Sequence, residues 1–521
     1  MVSLLKVSTA IISVSDKSGL PELARELNGL GIKIISTGGT AKEIEKAGVP
    51  VTKVEDLTGF PEMLDGRVKT LHPKIHAGIL AVRGNKEHMK KLAEQAISPI
   101  DLVIINLYPF KKTIAKENVK VEDAIENIDI GGPALLRAAA KNFESVAVVT
   151  SPDHYMRLIE ELKKGNGSLS EEFKKFLCVK AFEHTASYDC AINAYIHEKF
   201  VPEELFPKTL NLSFEKAQDC RYGENPHQHG AFYREFNVRE PCIASANQLH
   251  GKELSFNNFN DANAAIELVK EFSGPACVIV KHANPCGCAV SDSISHAFDM
   301  AYACDKESAF GGIIAVNRKM DAETAQKVAA FFNEIVIAPS FDEKALEKFQ
   351  KKPNVRILEI PGLGEKPGTN GFDFKRVRGG LLVQERDAKN PEKGSLKIVS
   401  KKKPSDEQFK DLLFAAIVSK HVKSNSIVFA KNGATVGIGA GQMSRIDATK
   451  LAAMKADGRE KGAVMASDAF FPFKDNVDLA AKLGITAVLQ PGGSIRDDES
   501  VKAADEHKIA MVFSGQRHFR H

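Results

Sequence analysis

Residues 31–46 read GIKIISTGGTAKEIEK, a β-branched run that leads through two glycines into an amphipathic helical stretch. The same order occurs just before it, where AIISVS (10–15) precedes GLPELARELNGLG (19–31), and apolar runs recur at DLVIINL (101–107) and SVAVVTS (145–151). Strands that alternate with helices predict an α/β fold, with a parallel sheet and helices on both of its faces. Ligands of such doubly wound sheets bind beyond the carboxyl ends of the strands.

The length of the chain and its breaks predict three domains. The 521 residues exceed what one domain of about 100 to 200 residues holds. A helical run at 171–200 is followed by VPEELFPKTL (201–210), whose prolines favour a linker. A polar stretch rich in glycine and proline runs from Pro361 to Gly371. We therefore predict domains at 1–206, 207–370 and 371–521.

Beyond the linker, apolar runs spaced among helices predict two α/β subdomains. The runs are ACVIVKH (276–282), GGIIAVN (311–317), EIVIAP (334–339), NSIVFAK (425–431), TVGIGAG (435–441), GAVMAS (462–467) and ITAVLQ (485–490). No simple short-period repeat is evident. KHANPCGCAV (281–290) and KSNSIVFAKNG (423–433) are nevertheless candidates for equivalent strand ends in two related halves.

The composition is that of an ordinary globular chain, with 43% apolar and 26% charged residues. The formal net charge is only +4, and the basic cluster Lys401–Lys403 has no aromatic neighbours to stack on bases, so nucleic-acid binding is not expected. The eight cysteines lie between Cys178 and Cys304 without the spacing of a secreted disulfide framework. No apolar stretch approaches the length of a membrane span. We expect reduced thiols, a cytoplasmic location and no membrane partner.

Hydroxyls, glycines and cations collect at the ends of the first two predicted strands, and this combination suits a phosphate. The alternative is a tight strand-to-helix turn in which Thr40 is only a cap. The candidate phosphate ligands are Ser13, Ser15, Lys17, Thr37, Gly38, Gly39 and Thr40.

Two further segments add donors to this predicted pocket. DGRVKTLHP (65–73) contributes Arg67, Lys69 and Thr70 within a few residues. In IDIGGPALLRAAAKN (128–142), Gly131 opens a helix, Asp129 precedes it, and Lys141 lies further along. Asp129 is either a functional carboxylate or only an N-terminal cap.

Another candidate site lies in PACVIVKHANPCGCAV (275–290), where Lys281 and His282 end an apolar strand just before a turn. A lone histidine there is more often structural, but the neighbouring lysine favours a functional pair. Cys286 and Cys288 lack the further ligands that a tetrahedral zinc site needs. We expect no metal.

Several long strings in order carry a family resemblance over nearly the whole chain. They include SVSDKSGL (13–20), LTGFPEMLDGRVKTLHPKIHAGIL (57–80), NLYPF (106–110), RYGENPHQ (221–228), SAFGGIIAVN (308–317) and GQRHFRH (515–521). The chain resembles the family of bifunctional purine biosynthesis proteins, which join an AICAR formyltransferase to an IMP cyclohydrolase. The resemblance implies a methylglyoxal-synthase-like N-terminal domain and two cytidine-deaminase-like subdomains without catalytic zinc.

The reactions follow from the same resemblance. The formyl group of 10-formyltetrahydrofolate, a co-substrate, is transferred to AICAR to give FAICAR, which is then cyclised to IMP with loss of water. The resemblance also implies a homodimer whose formyltransferase sites lie across its subunits. Its candidate cyclohydrolase residues are Lys69, Tyr108, Asp129 and Lys141. We expect Lys141 to polarise or protonate the formyl oxygen and Asp129 to help remove the amide proton, although roles among these four are interchangeable.

For formyl transfer, the resemblance and the chemistry together favour His282 as the base and Lys281 as the countercharge or proton donor. Asn425 would hold the formyl oxygen by its side-chain amide. Further residues expected around AICAR and folate are Arg221, Tyr222, Asn257, Phe310, Gly311, Glu334, Arg445, Phe470, Arg517 and His521. The chain departs from the family pattern in having Glu334 where some relatives have Asp, and a shorter segment at 443–448 than animal members.

Two other functions compete with this interpretation. The C-terminal fold is also compatible with a zinc-dependent nucleoside deaminase, which would contain stoichiometric metal. The first domain is also compatible with a regulatory nucleotide sensor, because a phosphate pocket can bind without reacting.

Overall fold

The structure of the protein is a computed structural model that describes residues 5–64, 67–238, 240–365, 368 and 371–521. The chain divides into two compact units, the first ending at Phe214 and the second beginning at Glu215. The linker segment 201–214 contains no helix or strand. The domain boundaries after residues 206 and 370 stay predictions.

The first unit is built on five parallel strands in the order β4-β3-β2-β5-β6, as the alternation of strands and helices predicts. The strands β1 and β7 form a separate antiparallel pair. The strands are β1 (Leu5–Lys6), β2 (Thr9–Val14), β3 (Lys33–Ser36), β4 (Thr52–Lys53), β5 (Leu102–Asn106), β6 (Ala147–Val149) and β7 (Ser168–Leu169).

Helices cover this sheet and enclose its core. The apolar face of the first helix packs on the sheet through Leu20, Leu23 and Leu27, all fully buried. The helices are α1 (Leu20–Gly29), α2 (Gly38–Lys46), α3 (Val54–Thr58), α4 (Pro73–Leu80), α5 (Lys86–Glu94), α6 (Phe110–Ile114), α7 (Val121–Glu126), α8 (Gly131–Lys141), α9 (Tyr155–Lys164) and α10 (Glu171–Phe200).

The second unit contains a twelve-stranded mixed sheet in the order β10-β15-β14-β13-β11-β12-β20-β19-β21-β22-β23-β18. Its strands are β10 (Asn247–His250), β11 (Ala276–Lys281), β12 (Asn284–Val290), β13 (Ile313–Val316), β14 (Ile335–Ala338), β15 (Arg356–Glu359), β18 (Lys397–Ile398), β19 (Ile427–Lys431), β20 (Ala434–Gly439), β21 (Val464–Ser467), β22 (Ala487–Gln490) and β23 (Ala510–Phe513). Two hairpins stand apart from it: β8 (Glu215–Cys220) with β9 (Gly230–Arg234), and β16 (Phe372–Val377) with β17 (Gly380–Glu385).

The large sheet consists of two halves with the same internal order. In each half a hairpin (β11–β12 or β19–β20) is followed outward by three strands parallel to one another and a short antiparallel edge strand. The two halves meet at the pair Ala289 and Ala434. The prediction of two related α/β halves is confirmed, and the equivalent strand ends are Lys281 of β11 and Lys431 of β19.

Helices also repeat between the halves. One face of the sheet carries a single shared core under the first helix of each half, α11 and α16. The opposite face carries two separate cores, one in each half. The helices are α11 (Phe256–Val269), α12 (Ile294–Cys304), α13 (Lys306–Ala309), α14 (Ala322–Val328), α15 (Glu343–Gln350), α16 (Asp406–Lys420), α17 (Arg445–Ala456), α18 (Asp475–Lys482) and α19 (Asp497–Glu506).

Among the helices of the described residues, none combines the length and the apolar character needed to cross a membrane.

Candidate active sites

The first candidate site forms where β3 passes into α2. Thr37 is the N-cap of α2 in an extended conformation, and no side chain caps the helix. The first-turn amides of Gly38 and Gly39 therefore have no acceptor within the helix and can bind an anion. The Thr40 hydroxyl instead bonds both the N–H and the carbonyl of Val14 at 3.1 Å. Thr40 thus joins the ends of two elements.

A second helix N-terminus, that of α8, meets the first. Glycine is required at its opening because a Cβ on Gly131 would lie 2.8 Å from the Thr70 hydroxyl. A Cβ on Gly132 would lie 2.5 Å from the Asp129 carboxylate. The Gly132 N–H donates to Asp129 Oδ1 at 2.8 Å, so Asp129 does cap the first turn of α8.

These elements enclose a cavity of about 570 Å³, a volume typical of small-molecule sites. Ser13 and Thr37, which line it, have their hydroxyl oxygens 3.2 Å apart. The cavity brings together most of the predicted residues of the first site: Ser13, Ser15, Lys17, Thr37, Gly38, Gly39, Thr40, Arg67, Lys69, Thr70, Tyr108, Asp129 and Gly131.

Lys141 is not among the residues that line this cavity. It is the last residue of α8 and is exposed. Because a helix rises about 1.5 Å per residue, its backbone lies roughly 15 Å along the axis from Gly131. The structure therefore does not bring Lys141 together with Lys69, Tyr108 and Asp129, and its expected contact with the formyl oxygen stays a prediction.

Two cations of the first site, Arg67 and Lys69, have carboxylate partners. Arg67 pairs with Glu126, with 3.3 Å between Nε and Oε1. Lys69 Nζ lies 3.1 Å from Glu62 Oε1. The hydrogen bond from Arg67 lowers the pKa of Glu126, so this carboxylate stays charged beside the cavity.

Asp129 lies in a different environment from these exposed carboxylates. Burial raises the pKa of Asp129, and hydrogen bonds from the backbone amides of Gly132 and Tyr108 only partly oppose the rise. The Asp129 N–H donates to the Tyr188 hydroxyl at 2.8 Å. A half-desolvated carboxylate with a raised pKa, held beside a cavity, is suited to proton transfer.

Asn106 is a site residue that the sequence analysis missed. Its Oδ1 accepts from the amides of Ser15 (2.6 Å) and Asp16 (2.8 Å), and its Nδ2 donates to the Asp16 carbonyl at 3.0 Å. It therefore fixes the loop that carries Ser15 and Lys17. The available signal was its position at the carboxyl end of β5, next to the end of the central strand β2.

The second candidate site lies at the turn between β11 and β12. His282 and Ala283 both have left-handed backbone, with φ of 51° and 57°. Lys281 Nζ donates to the Phe310 carbonyl at 2.8 Å. Gly311 is in contact with the same ammonium, since a Cβ there would lie 2.9 Å from Nζ. The structure thus brings Lys281, His282, Phe310 and Gly311 together.

Asn284 connects this turn to the loop that precedes β19. Its Nδ2 donates to the His282 carbonyl at 3.2 Å, and its Oδ1 accepts from the Lys423 N–H at 2.9 Å. The loop continues to Asn425, whose preceding peptide bond is cis. Asn284, which was not predicted, therefore links two predicted parts of the site.

The side-chain amide of Asn425 forms its hydrogen bonds within the chain. Its Nδ2 donates to the carbonyls of Gln442 (2.9 Å) and Met443 (3.2 Å), and its Oδ1 accepts from Arg445 at 2.8 Å. Both kinds of atom of this amide are therefore bonded within the chain, and its expected contact with the formyl oxygen stays a prediction. The amide holds Arg445 in place.

Arg445 is buried against an acid that the sequence analysis did not single out. It donates to Ser467 at 2.9 Å and pairs with the fully buried Asp468. Asp468 also accepts from the Ser424 hydroxyl at 2.6 Å. The Ser424 hydroxyl in turn accepts from the Arg520 N–H at 3.0 Å, so the C-terminal segment is tied to this loop.

The remaining predicted residues lie at several places in the second unit. Arg221 lies over the ring of Tyr222, and Asn257 donates to the Glu224 carbonyl at 3.2 Å. Glu334 pairs with Arg356 at 2.9 Å. Phe470 is partly exposed, and Arg517 and His521 both contact the ring of Phe519.

Of the two cysteines in β12, Cys288 is buried and Cys286 is half-buried. Burial raises the pKa of Cys286 and of Cys288, which disfavours the thiolate that a metal needs. Across the residues that the structure describes, no group of three or more His, Cys, Asp or Glu is placed to hold a metal ion.

Comparison with known proteins identifies the chain. A family model described as the AICARFT/IMPCHase bienzyme matches residues 139–455, and one described as an MGS-like domain matches residues 19–134. The bifunctional purine biosynthesis protein PurH of Acetivibrio thermocellus is 55% identical over 516 residues, which are 99% of this chain and 100% of that protein. The chain belongs to the AICARFT/IMPCHase bienzyme family. The crystal structure of ForH is 37% identical and covers 36% of this chain and 97% of ForH, with a TM-score of 0.32.

Membership of the AICARFT/IMPCHase bienzyme family confirms the resemblance and the fold class predicted from the sequence. The protein is a bifunctional enzyme of purine biosynthesis that formylates AICAR and cyclises FAICAR to IMP. Its formyl donor is 10-formyltetrahydrofolate. Membership of the bienzyme family argues against both competing interpretations, the zinc-dependent deaminase and the nucleotide sensor.

Proposed function

We propose that the cavity of the first unit is the cyclohydrolase site. The observation that carries this assignment is a half-buried carboxylate, Asp129, beside two helix N-termini that open with glycine. The amides of Gly38 and Gly39 bind the phosphate of FAICAR, with the hydroxyls of Ser13 and Thr37 and the charge of Lys17 around it.

Cyclisation joins a carboxamide nitrogen to a formyl carbon of the same molecule, and the adduct then loses the former formyl oxygen as water. Asp129 takes the proton from the nitrogen, and its raised pKa brings its basicity closer to neutral pH. Lys69, rather than the distant Lys141, faces the cavity and stabilises the oxygen on which negative charge develops. Tyr108 covers the cavity from the end of β5 and orients the ring.

Lys141 keeps its predicted role only where a second copy of the chain supplies it. A mixture of Lys141→Ala and Lys69→Ala chains distinguishes the two cases. If Lys141 acts across copies, mixed dimers regain cyclisation that neither variant has alone. If Lys141→Ala alone cyclises FAICAR normally, Lys141 has no role in the reaction.

The formyltransferase site is proposed at the Lys281–Asn284 turn. His282 acts as the base toward the AICAR amine, and Lys281 supplies the positive charge near the departing folate nitrogen. Asn425 acts by holding Arg445, whose guanidinium is anchored on Asp468. The charges of Arg221, Arg517 and His521 and the rings of Tyr222, Phe310 and Phe470 bind the phosphate and folate groups, together with Asn257, Gly311 and Glu334.

A homodimer in the cytoplasm completes the proposal. The hairpin β16–β17 carries exposed apolar side chains on both of its faces, Phe374 on one and Leu382 on the other, and a two-stranded hairpin alone is only marginally stable in water. A second copy of the chain would cover it. All eight cysteines are free thiols, which suits a reducing compartment. Sedimentation of the wild type and of Leu382→Asp tests the dimer.

The first experiment separates the two activities. Purified enzyme receives AICAR and 10-formyltetrahydrofolate, and tetrahydrofolate release and IMP formation are followed together. The variant His282→Ala should lose formyl transfer by about 10²- to 10⁴-fold, as expected for a general base, and should still convert supplied FAICAR to IMP. Normal formylation by His282→Ala would reject this base assignment.

A further inference from the structure

The left-handed turn at His282 has a counterpart in the other half of the large sheet. Between β19 and β20, Asn432 and Gly433 have φ of 55° and 72°, close to the values at His282 and Ala283. Left-handed backbone is unfavourable for most residues with a Cβ but is accessible to asparagine and glycine. Asn-Gly is also the preferred sequence of such hairpins. The two turns share a backbone conformation, but the first has an alanine, Ala283, where the second has Gly433.

A carboxylate clamps each turn. Asp261 on α11 accepts the Ala283 N–H at 2.7 Å and also the backbone N–H of His282. Asp411 on α16 accepts the N–H groups of Asn432 (2.9 Å) and Gly433 (2.7 Å). The two acids occupy the same position of equivalent helices, because SFNNFND (255–261) and SDEQFKD (405–411) share the spacing of serine, phenylalanine and aspartate.

We infer that Asp261 is a positioning residue for formyl transfer, acting through the turn that carries His282. The inference rests on the proposed role of His282 as the base. Because Ala283 does not favour left-handed backbone, Asp261 supplies support that the Asn432–Gly433 turn has in its own sequence. Asp411 is therefore less necessary to its turn than Asp261 is.

The contacts of the first turn explain why its geometry matters. Lys281 reaches the Phe310 carbonyl from the residue before the turn. Asn284, the residue after it, bonds the His282 carbonyl and the Lys423 amide. A turn that relaxes would displace the imidazole of His282 relative to both neighbours. A displacement of about 1 Å at a reacting group can cost on the order of 100-fold in rate.

The test compares Asp261→Asn with Asp411→Asn in the full chain. Each substitution keeps the size of the side chain but replaces one acceptor oxygen by a donor, opposite an amide N–H. Asp261→Asn should lower kcat of formyl transfer by about 100-fold, with KM for AICAR and for 10-formyltetrahydrofolate nearly unchanged. Asp411→Asn should stay close to the wild type. Both variants should cyclise supplied FAICAR normally.

A rescue separates the turn from the lost charge. The double variant Asp261→Asn/Ala283→Gly gives the first turn the glycine that the second has at residue 433, and it should recover about tenfold of the lost kcat if backbone cost is the cause. The loss of a negative charge near Lys281 would not be rescued by glycine. If the single variant Asp261→Asn fails to fold, the double variant can be assayed in its place.

Three results would overturn the inference. They are an unchanged kcat in Asp261→Asn, equal losses in Asp261→Asn and Asp411→Asn, and no recovery in the glycine double variant. His282→Ala separates this failure from failure of the proposed function. If His282→Ala loses formyl transfer while Asp261→Asn keeps it, only the positioning role fails. If His282→Ala keeps formyl transfer, the proposed base fails, and the inference with it.

Discussion

In the first unit the candidate residues face a cavity of about 570 Å³, whereas in the second unit most of them contact one another. Gly38, Gly39 and Gly131 present backbone to the first cavity. In the second site, by contrast, Asn425 and Arg445 are bonded side chain to side chain. The first site is built from helix ends, and the second combines an exposed turn at His282 with the buried ion pair of Arg445 and Asp468.

This difference predicts how substitutions in each site should affect the reaction rate and the stability. Backbone amides at a helix end cannot be removed by changing a side chain, so substitutions in the first site should change the rate and leave stability nearly intact. A buried polar network is costly to leave half satisfied. Substitutions of the buried pair Arg445 and Asp468 should therefore lower stability together with activity.

The largest effect is expected from Asp129→Asn. Loss of a general base should lower kcat of cyclisation by about 10²- to 10⁴-fold, while formyl transfer is unchanged. In the wild type the rate depends on ionised Asp129, so it rises with pH through the raised pKa of this group. The acid limb of the profile should lie above the ordinary carboxyl value of 3.8. A limb at or below that value would contradict the role of burial.

Glu271→Gln should have the next largest effect, on stability. Glu271 lies 2.6 Å from the buried Lys420 and 3.0 Å from His421. Burial alone would raise the pKa of Glu271, but the hydrogen bond and charge of His421 and the charge of Lys420 outweigh it and lower the pKa to about 2. Removing one member of a buried pair typically costs about 3–5 kcal/mol of unfolding free energy.

The pH dependence of this loss has a definite sign. A carboxyl group with a lowered pKa stabilises the fold above its unfolded pKa, and this stability is lost as pH falls toward the folded value. The difference between wild type and Glu271→Gln should thus shrink from pH 4.5 toward pH 2. Denaturant unfolding measures it, with the exposed pair variant Asp406→Asn as the control. Equal losses in both variants would contradict the importance of burial.

Gly132→Ala should have a smaller effect, confined to the first site. The added Cβ would lie 2.5 Å from Asp129 Oδ2 and 2.7 Å from Leu107, so the carboxylate must move. A shift of this kind is expected to lower kcat of cyclisation by about 100-fold. Gly29→Ala, where no atom lies within 4 Å of the new Cβ, is the matched control. Normal cyclisation by Gly132→Ala would show that the position of Asp129 is not critical.

The smallest effect is expected from Glu126→Gln. The change removes a negative charge beside Arg67 at the wall of the cavity. An anionic substrate should then bind slightly better, and KM for FAICAR should fall by less than about fivefold because the pair is exposed. The effect should vanish at high salt. A rise in KM would mean that Glu126 positions Arg67 for binding.

Much of the first site could be predicted because its residues are close in sequence to the strand ends that hold them. Ser13, Thr37 and Gly38 follow β-branched runs, and the end of a parallel strand is where ligands bind. Lys141 is the exception: it is the last residue of α8 and does not line the cavity, so its predicted role stays a prediction.

The second site was less accessible to sequence reasoning. Asp468 and Asn284 act through partners far away in the chain, which no local pattern indicates. The sequence does contain an indication of Asp261, because the spacing of serine, phenylalanine and aspartate in residues 255–261 recurs in residues 405–411. This repeat becomes visible only when the two helices are aligned. The residue type of Asn425 does not reveal that its side-chain amide is hydrogen-bonded within the chain.

The core shared by α11 and α16 limits how this protein can be divided. A fragment ending near residue 370 would contain the His282 turn and its clamp, but it would expose the apolar surface that the other half covers. The same holds for the complementary fragment. A minimal formyltransferase therefore cannot be obtained by truncation to one half, and the amides of both halves should exchange with solvent as one cooperative block.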